Sequence, residues 1–159
     1  MPNQKSHLPD NYDEFLGNLK ERIRTVQVRA ALAINQELIA LYWQIGRSIL
    51  ERQREEGWGA KIIDQLAKDL ARDFPDVSGF SSRNLKYMRS FAEAYPDMEI
   101  VQRSVALLPW RHNIALLEKL KSHEKRLWYA AKALENGWSR DILVLQIETD
   151  LHQRLGGAT

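Results

Sequence analysis

Cysteine is absent from the 159 residues, which excludes disulfides and thiolate metal ligands. Histidine is scarce: His7, His112, His123 and His152 lie far apart and form no HExxH-type metal spacing. No run of about 18 apolar residues suits a membrane span, and the N-terminus lacks an apolar signal region. Residence in the cytoplasm, with no membrane partner, is the resulting expectation. Strands are missing too, because no segment alternates apolar and polar residues, and there is no internal repeat or low-complexity tract. Charge of one sign is also lacking. Lys and Arg total 23 against 21 Asp and Glu, a net of +2, too small to identify a nucleic-acid partner, so distribution must decide. The excess is local: Arg103, Arg111, Lys119, Lys121, Lys125, Arg126 and Lys132 face only Glu118 and Glu124 between residues 103 and 132.

What is present is helical periodicity. The 44% hydrophobic content suffices for the core of one domain, about 100–150 residues being a common size. The most informative stretch is residues 57–95. Ile62, Ile63, Leu66, Ala67 and Leu70 recur at the spacing of one buried helix face, predicting a helix over 60–73. Phe74-Pro75 ends it, since proline disfavours helical geometry in the residue before it. Asp76, Ser78 and Gly79 form a turn, and Ser81 or Ser82 caps a second helix running from about 83 to 95, where Pro96 stops it. Leu85, Met88, Phe91, Ala92 and Tyr95 make its apolar stripe. Arg83, Asn84, Lys86, Tyr87 and Arg89 lie mostly off that stripe in its first half. A helix N-terminus favours phosphate, and Arg or Asn can address base edges. The pair is therefore a candidate helix-turn-helix-like reader. The connector, about 74–81, exceeds the usual three or four residues and points to a variant geometry. An ordinary solvated face on a helical bundle remains the alternative.

The remaining chain punctuates itself clearly. Residues 1–9 read as a flexible lead-in, and residues 10–155 as a single helical domain divided at about 56 and 96. From 12 to 55 there is no proline, and apolar residues step by three and four. This gives one very long helix, or two with a break near residues 27–29. About 40 helical residues would span about 60 Å, longer than a domain this size needs, so a homodimer through this helix is one expectation and a bent helix pair inside one monomer the other. Trp58, between two glycines, reads as a core plug at the hinge. Asp97 caps a helix reaching to about 107, and Pro109 opens the next. Trp110-Arg111-His112 at that helix start can meet phosphate or sugar, or Trp110 can pack in the core with His112 capping or packing. Ser122 caps residues 124–136, Asn136-Gly137 ends them in left-handed geometry, and Ser139 caps a last helix through Leu151.

GWG (57–59), LAKDL (66–70), FP (74–75), GFSSRNLKYMRSF (79–91), YP (95–96), LPWRHNIALLEK (108–119) and WYAAKALENGWSRDILVLQI (128–147) occur in that order. Together they resemble the N-terminal domain of the YhcG-like PDDEXK-nuclease family, over roughly residues 12–151. The resemblance implies an all-α domain that targets DNA, followed in full-length relatives by a C-terminal nuclease domain. A PDDEXK site needs an Asp and a Glu-x-Lys offered from strands to hold magnesium. Asp73, Asp76, Glu118 and Lys121 occur instead on helices or loops and read as surface charges. GWGAK lacks Walker spacing, and no Ser–His–Asp arrangement can be assembled. No catalytic, metal or cofactor site is therefore expected. The candidate nucleic-acid-binding residues are Ser82, Arg83, Asn84, Lys86, Tyr87, Arg89 and Arg111. Arg83, Lys86, Arg89 and Arg111 would meet phosphates, and Asn84 with one arginine would meet bases. The rival is a dimerisation or protein-interaction module without direct DNA contact.

Overall fold

A computed structural model describes residues 8–156; residues 1–7 of the expected lead-in, His7 and Gly157 lie outside them. Among the described residues there are eight α-helices and no strand, as the periodicity requires. They are α1 (Tyr12–Glu56), α2 (Ala60–Asp73), α3 (Ser82–Ala94), α4 (Met98–Arg103), α5 (Trp110–Lys119), α6 (His123–Asn136), α7 (Arg140–Glu148) and α8 (Leu151–Arg154), with a 3-10 turn at Val105–Leu107. The chain divides into two compact units, residues up to Ile34 and residues from Asn35 onward.

In the first unit, α1 is helical without the alternative break near residues 27–29. Asp13 and Glu14 occupy its first turn, where the helix dipole favours acids. Most of its large apolar side chains remain in solvent: Phe15, Ile23, Val26, Leu32 and Ile34 are all exposed, while Leu16 and Leu19 are half-buried.

In the second unit, the continuation of α1 supplies Ile39, Tyr42, Gly46, Ile49 and Leu50 to the interior, the three-and-four step of one buried face. Two apolar clusters result. One gathers Ile39, Phe91, Val101, Val105, Leu116, Tyr129 and Leu143 from α1, α3, α4, the 3-10 turn, α5, α6 and α7. The other joins Tyr42, Ile49, Ile63, Ala67, Leu85 and Met88 from α1, α2 and α3. Burying each large side chain contributes about 1.5–3 kcal/mol. Gly46 sets how closely α1 and α3 approach, because a Cβ there would stand 1.9 Å from the Met88 carbonyl oxygen. Asn35 ties α1 down by donating to the Ala106 and Leu108 carbonyls at 3.1 and 2.9 Å. The Trp43 indole does the same to the Tyr95 carbonyl at 2.7 Å.

The helix ends follow local chemistry. Ser81, Ser122 and Ser139 accept from Asn84 N, Lys125 N and Ile142 N, and Gly137 adopts φ 61°, ψ 38°, the left-handed C-cap. Asp97 accepts from Glu99 N, but its helix ends at Arg103 and passes through Ser104 into the 3-10 turn. The single last helix through Leu151 is corrected to α7 and α8. Asp150, at φ 54°, turns the chain between them, and Arg154 Nε holds the turn by donating to the Thr149 carbonyl at 2.9 Å. Leu151 still reaches the first core cluster. Trp58 is half-buried rather than a full core plug, with the Arg52 guanidinium 5.9 Å from its ring centroid.

Candidate nucleic-acid interface

The site begins with three helix starts. Arg83 lies in the first turn of α3, Arg111 in that of α5, and Arg140 is the first residue of α7. α5 packs against both α3 and α7. The three arginines consequently line one open cleft of about 580 Å³, together with Ser81, Asn84, Tyr87, Trp110, Glu118 and the Ser78-Gly79 turn. Its floor is aromatic and rigid. Trp110 packs edge-on against Tyr42 and Phe91, with ring centroids 4.9 and 5.2 Å away. Its indole nitrogen donates to Asn84 Oδ1 at 2.7 Å, while Asn84 Nδ2 donates to the Gly79 carbonyl at 2.6 Å. The Asn84 amide thus links connector, α3 and α5. A base could reach it only by displacing one of those bonds.

Charge in the cleft is placed against the helix dipoles. α1, α4, α6 and α7 carry acids in their first turns, and Arg126 donates to the Leu117 and Leu120 carbonyls at the end of α5, each where the dipole favours that sign. Arg83, Arg111 and Arg140 have the disfavoured sign at an N-terminus, a cost of about 0.3–1 kcal/mol each. Local compensation differs among the three. Arg83 donates to the Tyr87 hydroxyl at 3.2 Å and lies 5.6 Å from its ring centroid. The Tyr87 hydroxyl in turn donates to Glu118 Oε1. Arg83 is held above its ordinary pKa chiefly by the Tyr87 hydrogen bond, with a smaller contribution from Glu118, and stays cationic. Arg140 pairs with Asp141, the acid of the same first turn, at 3.3 Å, which offsets its charge there. Arg111 is exposed and makes no hydrogen bond or ion pair among the described residues.

The sequence-predicted residues do not all converge. Arg83, Asn84, Tyr87 and Arg111 meet in this cleft. Lys86 and Arg89 line a smaller one of about 160 Å³ with Ile49, Gln53 and Ile63. There Arg89 Nη1 donates to Gln53 Oε1 at 3.3 Å. Ser82 borders a third cleft between α2 and the connector, and the capping oxygen belongs to Ser81. Arg140 was missed: it lies 57 residues beyond Arg83, and its only local signal is the Ser139 cap before it. His112 packs rather than caps, with Nε2 donating to the Trp138 carbonyl at 2.8 Å. No three or more His, Asp and Glu side chains cluster to hold a metal ion among the described residues. No helix among them is long and apolar enough to cross a membrane.

This geometry defines an all-α domain with an open, arginine-lined cleft at converging helix N-termini. The chain belongs to the DUF1016 N-terminal domain family, whose model matches residues 18–154, as the ordered motifs led one to expect. It is also 29% identical over 169 aligned residues to a protein of Escherichia coli (strain K12) named "Putative nuclease YhcG", covering 86% of this chain. The chain spans 44% of that relative's length. No solved structure matches it.

Proposed function

We propose that this domain binds DNA by its phosphate backbone and serves a nuclease-family protein as a non-catalytic targeting module. One observation carries the reading: three arginines at helix starts line the same cleft, and the first turns that hold Arg83 and Arg111 contain no acid to offset their disfavoured charge. A phosphate placed there would receive guanidinium and backbone N–H donors together and relieve the charge–dipole conflict. Sites that break a local rule without structural gain are where function is expected. Arg83, Arg111 and Arg140 are assigned to phosphate, and exposed Lys86 and half-buried Ser82 to flanking backbone. Tyr87 positions Arg83, Asn84 braces the cleft through Trp110, and Arg89 supports α3 through Gln53. In this assignment α2 and α3 act as a helix-turn-helix-like pair whose reading helix is α3. The DNA and the separate nuclease domain are the partners implied by the nuclease named among its relatives, and the cytoplasm is the corresponding location.

Fluorescence anisotropy with a labelled duplex tests this. The full chain should bind at low salt, and an Arg83→Ala, Arg111→Ala, Arg140→Ala variant of equal helicity should lose at least tenfold in affinity, each charged contact contributing about 1 kcal/mol. Equal binding by the two proteins would contradict the assignment of the cleft.

A further inference from the structure

Arg89 carries a buried donor that the arginine cleft does not use. Its Nη1 donates to Gln53 Oε1 at 3.3 Å, but its Nε is buried and donates to nothing among the described residues. Leaving a buried N–H unpaired is costly, so such an atom calls for a partner. The guanidinium borders the cavity of about 160 Å³ where α1, α2 and α3 meet, on a different face of α3 from the cleft.

The other polar groups around that cavity also have unused donors. Lys86 is exposed and pairs with no acid among the described residues. The oxygen of Gln53 is engaged by Arg89, while its amide N–H groups have no partner among the described residues. Ala60, which lines the cavity, opens α2. The N-cap there, Gly59, offers no side-chain oxygen, and the first turn holds no acid. The N–H groups of Ala60 and Lys61 therefore bond to nothing among the described residues. No Asp or Glu among them lines the cavity, and buried Ile49, Ile63 and Leu85 form its apolar wall. Such a wall keeps the local dielectric low and strengthens attraction to a charge.

We infer that this junction is an oxyanion site, separate from the arginine cleft, and that it takes a single phosphate group. Two cations, an amide and a helix N-terminus converge on it as donors, which suits a tetrahedral dianion. The cavity is small, so the rest of the ligand stays outside it. A nucleic-acid backbone and a small phosphorylated molecule present the same chemistry here. The site does not depend on the cleft holding DNA. Lys86, assigned above to flanking backbone, is where the two readings meet.

Nuclear magnetic resonance of the isotope-labelled full chain tests this directly. Inorganic phosphate, exchanged for chloride at constant ionic strength, should move the backbone amide signals of Ala60 and Lys61 and the Nε–H signal of Arg89 saturably. Lys86→Gln, at an exposed position, should weaken the effect roughly threefold. Gly59→Asp is the sharper variant. Gly59 has φ −101° and open space where a Cβ would stand, so Asp fits, caps α2 and engages those N–H groups with its own carboxylate. Thermal stability should hold or rise while phosphate affinity falls roughly tenfold or more. A duplex used in place of phosphate decides the source. Movement of the same signals by duplex, lost in Gly59→Asp, assigns the phosphate to nucleic-acid backbone. Movement by inorganic phosphate alone assigns it to a small phosphorylated ligand. No movement with either probe, or phosphate affinity unchanged in Gly59→Asp, would overturn the site. The Arg83→Ala, Arg111→Ala, Arg140→Ala chain should keep its phosphate response at these signals, so failure of the cleft and failure of this site are read separately. Loss of that response there would overturn the separation of the two sites.

Discussion

Single residues decide how closely the second unit packs. At Gly46, α1 and α3 come too near for any side chain, since its Cβ would overlap the Met88 carbonyl at 1.9 Å. Gly46→Ala normally gains helix propensity of about 1 kcal/mol. Here overpacking should outweigh that gain and leave a net destabilisation of about 1–3 kcal/mol, readable as a lower urea midpoint. Tyr95 tests burial differently. Its ring is 1% exposed and its hydroxyl finds no partner among the described residues. Desolvation pushes its pKa up to about 12, partly offset by the charge of Arg126. Below about pH 10 the hydroxyl is protonated in both folded and unfolded chains. Between about pH 10 and 12 only the unfolded chain ionises, so stability falls as pH rises, by about 2–3 kcal/mol in total. Tyr95→Phe should be nearly neutral at pH 7, where no hydrogen bond is lost. It should also remove this part of the alkaline decline, as seen by comparing urea midpoints across that range.

At the scale of elements, the helix ends carry both stability and site. Ser81 Oγ accepts from Asn84 N at 3.1 Å, fixing the first turn that holds Arg83 and Asn84. Ser81→Ala should cost about 1 kcal/mol of stability and loosen the cleft wall with it. Glu118, on α5, is the one carboxylate lining the cleft among the described residues, and it accepts from Tyr87. Glu118→Gln keeps an acceptor for that hydroxyl while removing a negative charge facing the proposed phosphate. Duplex affinity should therefore rise about two- to tenfold at low salt, with the gain shrinking as salt screens it. An unchanged or weaker affinity would argue against an anion in this cleft. Helix ends were also the most legible feature of the sequence. Phe74-Pro75, the Ser81, Ser122 and Ser139 caps and Gly137 act on their own neighbours, so local spacing is enough to find them. The turn at Asp150 was not legible, because Leu151 continues the apolar pattern across it and the Arg154 contact that holds it comes from beyond.

For the whole molecule, the all-α class follows from periodicity sustained along the chain, and the family from motifs spread over most of it. The cleft was legible only in part. Arg83, Asn84 and Tyr87 share one helix face, which their spacing reveals. Arg111 was suggested by its helix start, but nothing in sequence brings it to Arg83. Arg140 enters only through the packing of α7 on α5, and the engagement of Asn84 with Trp110 depends on a contact 26 residues away. Conversely, the basic residues of α3 look like one set in sequence, yet Lys86 and Arg89 line a different cleft from Arg83. Helix rotation of about 100° per residue separates them.

The central claim is that this cleft grips phosphate. Its most direct test is the dependence of duplex affinity on salt, measured for the full chain and for Arg111→Ala. Wild-type affinity should fall steeply, with a log–log slope of about −0.9 for each phosphate neutralised. Arg111→Ala, whose side chain has no bond to lose among the described residues, should flatten that slope by about one at unchanged stability. A wild-type affinity indifferent to salt, or an Arg111→Ala slope equal to wild type, would contradict it.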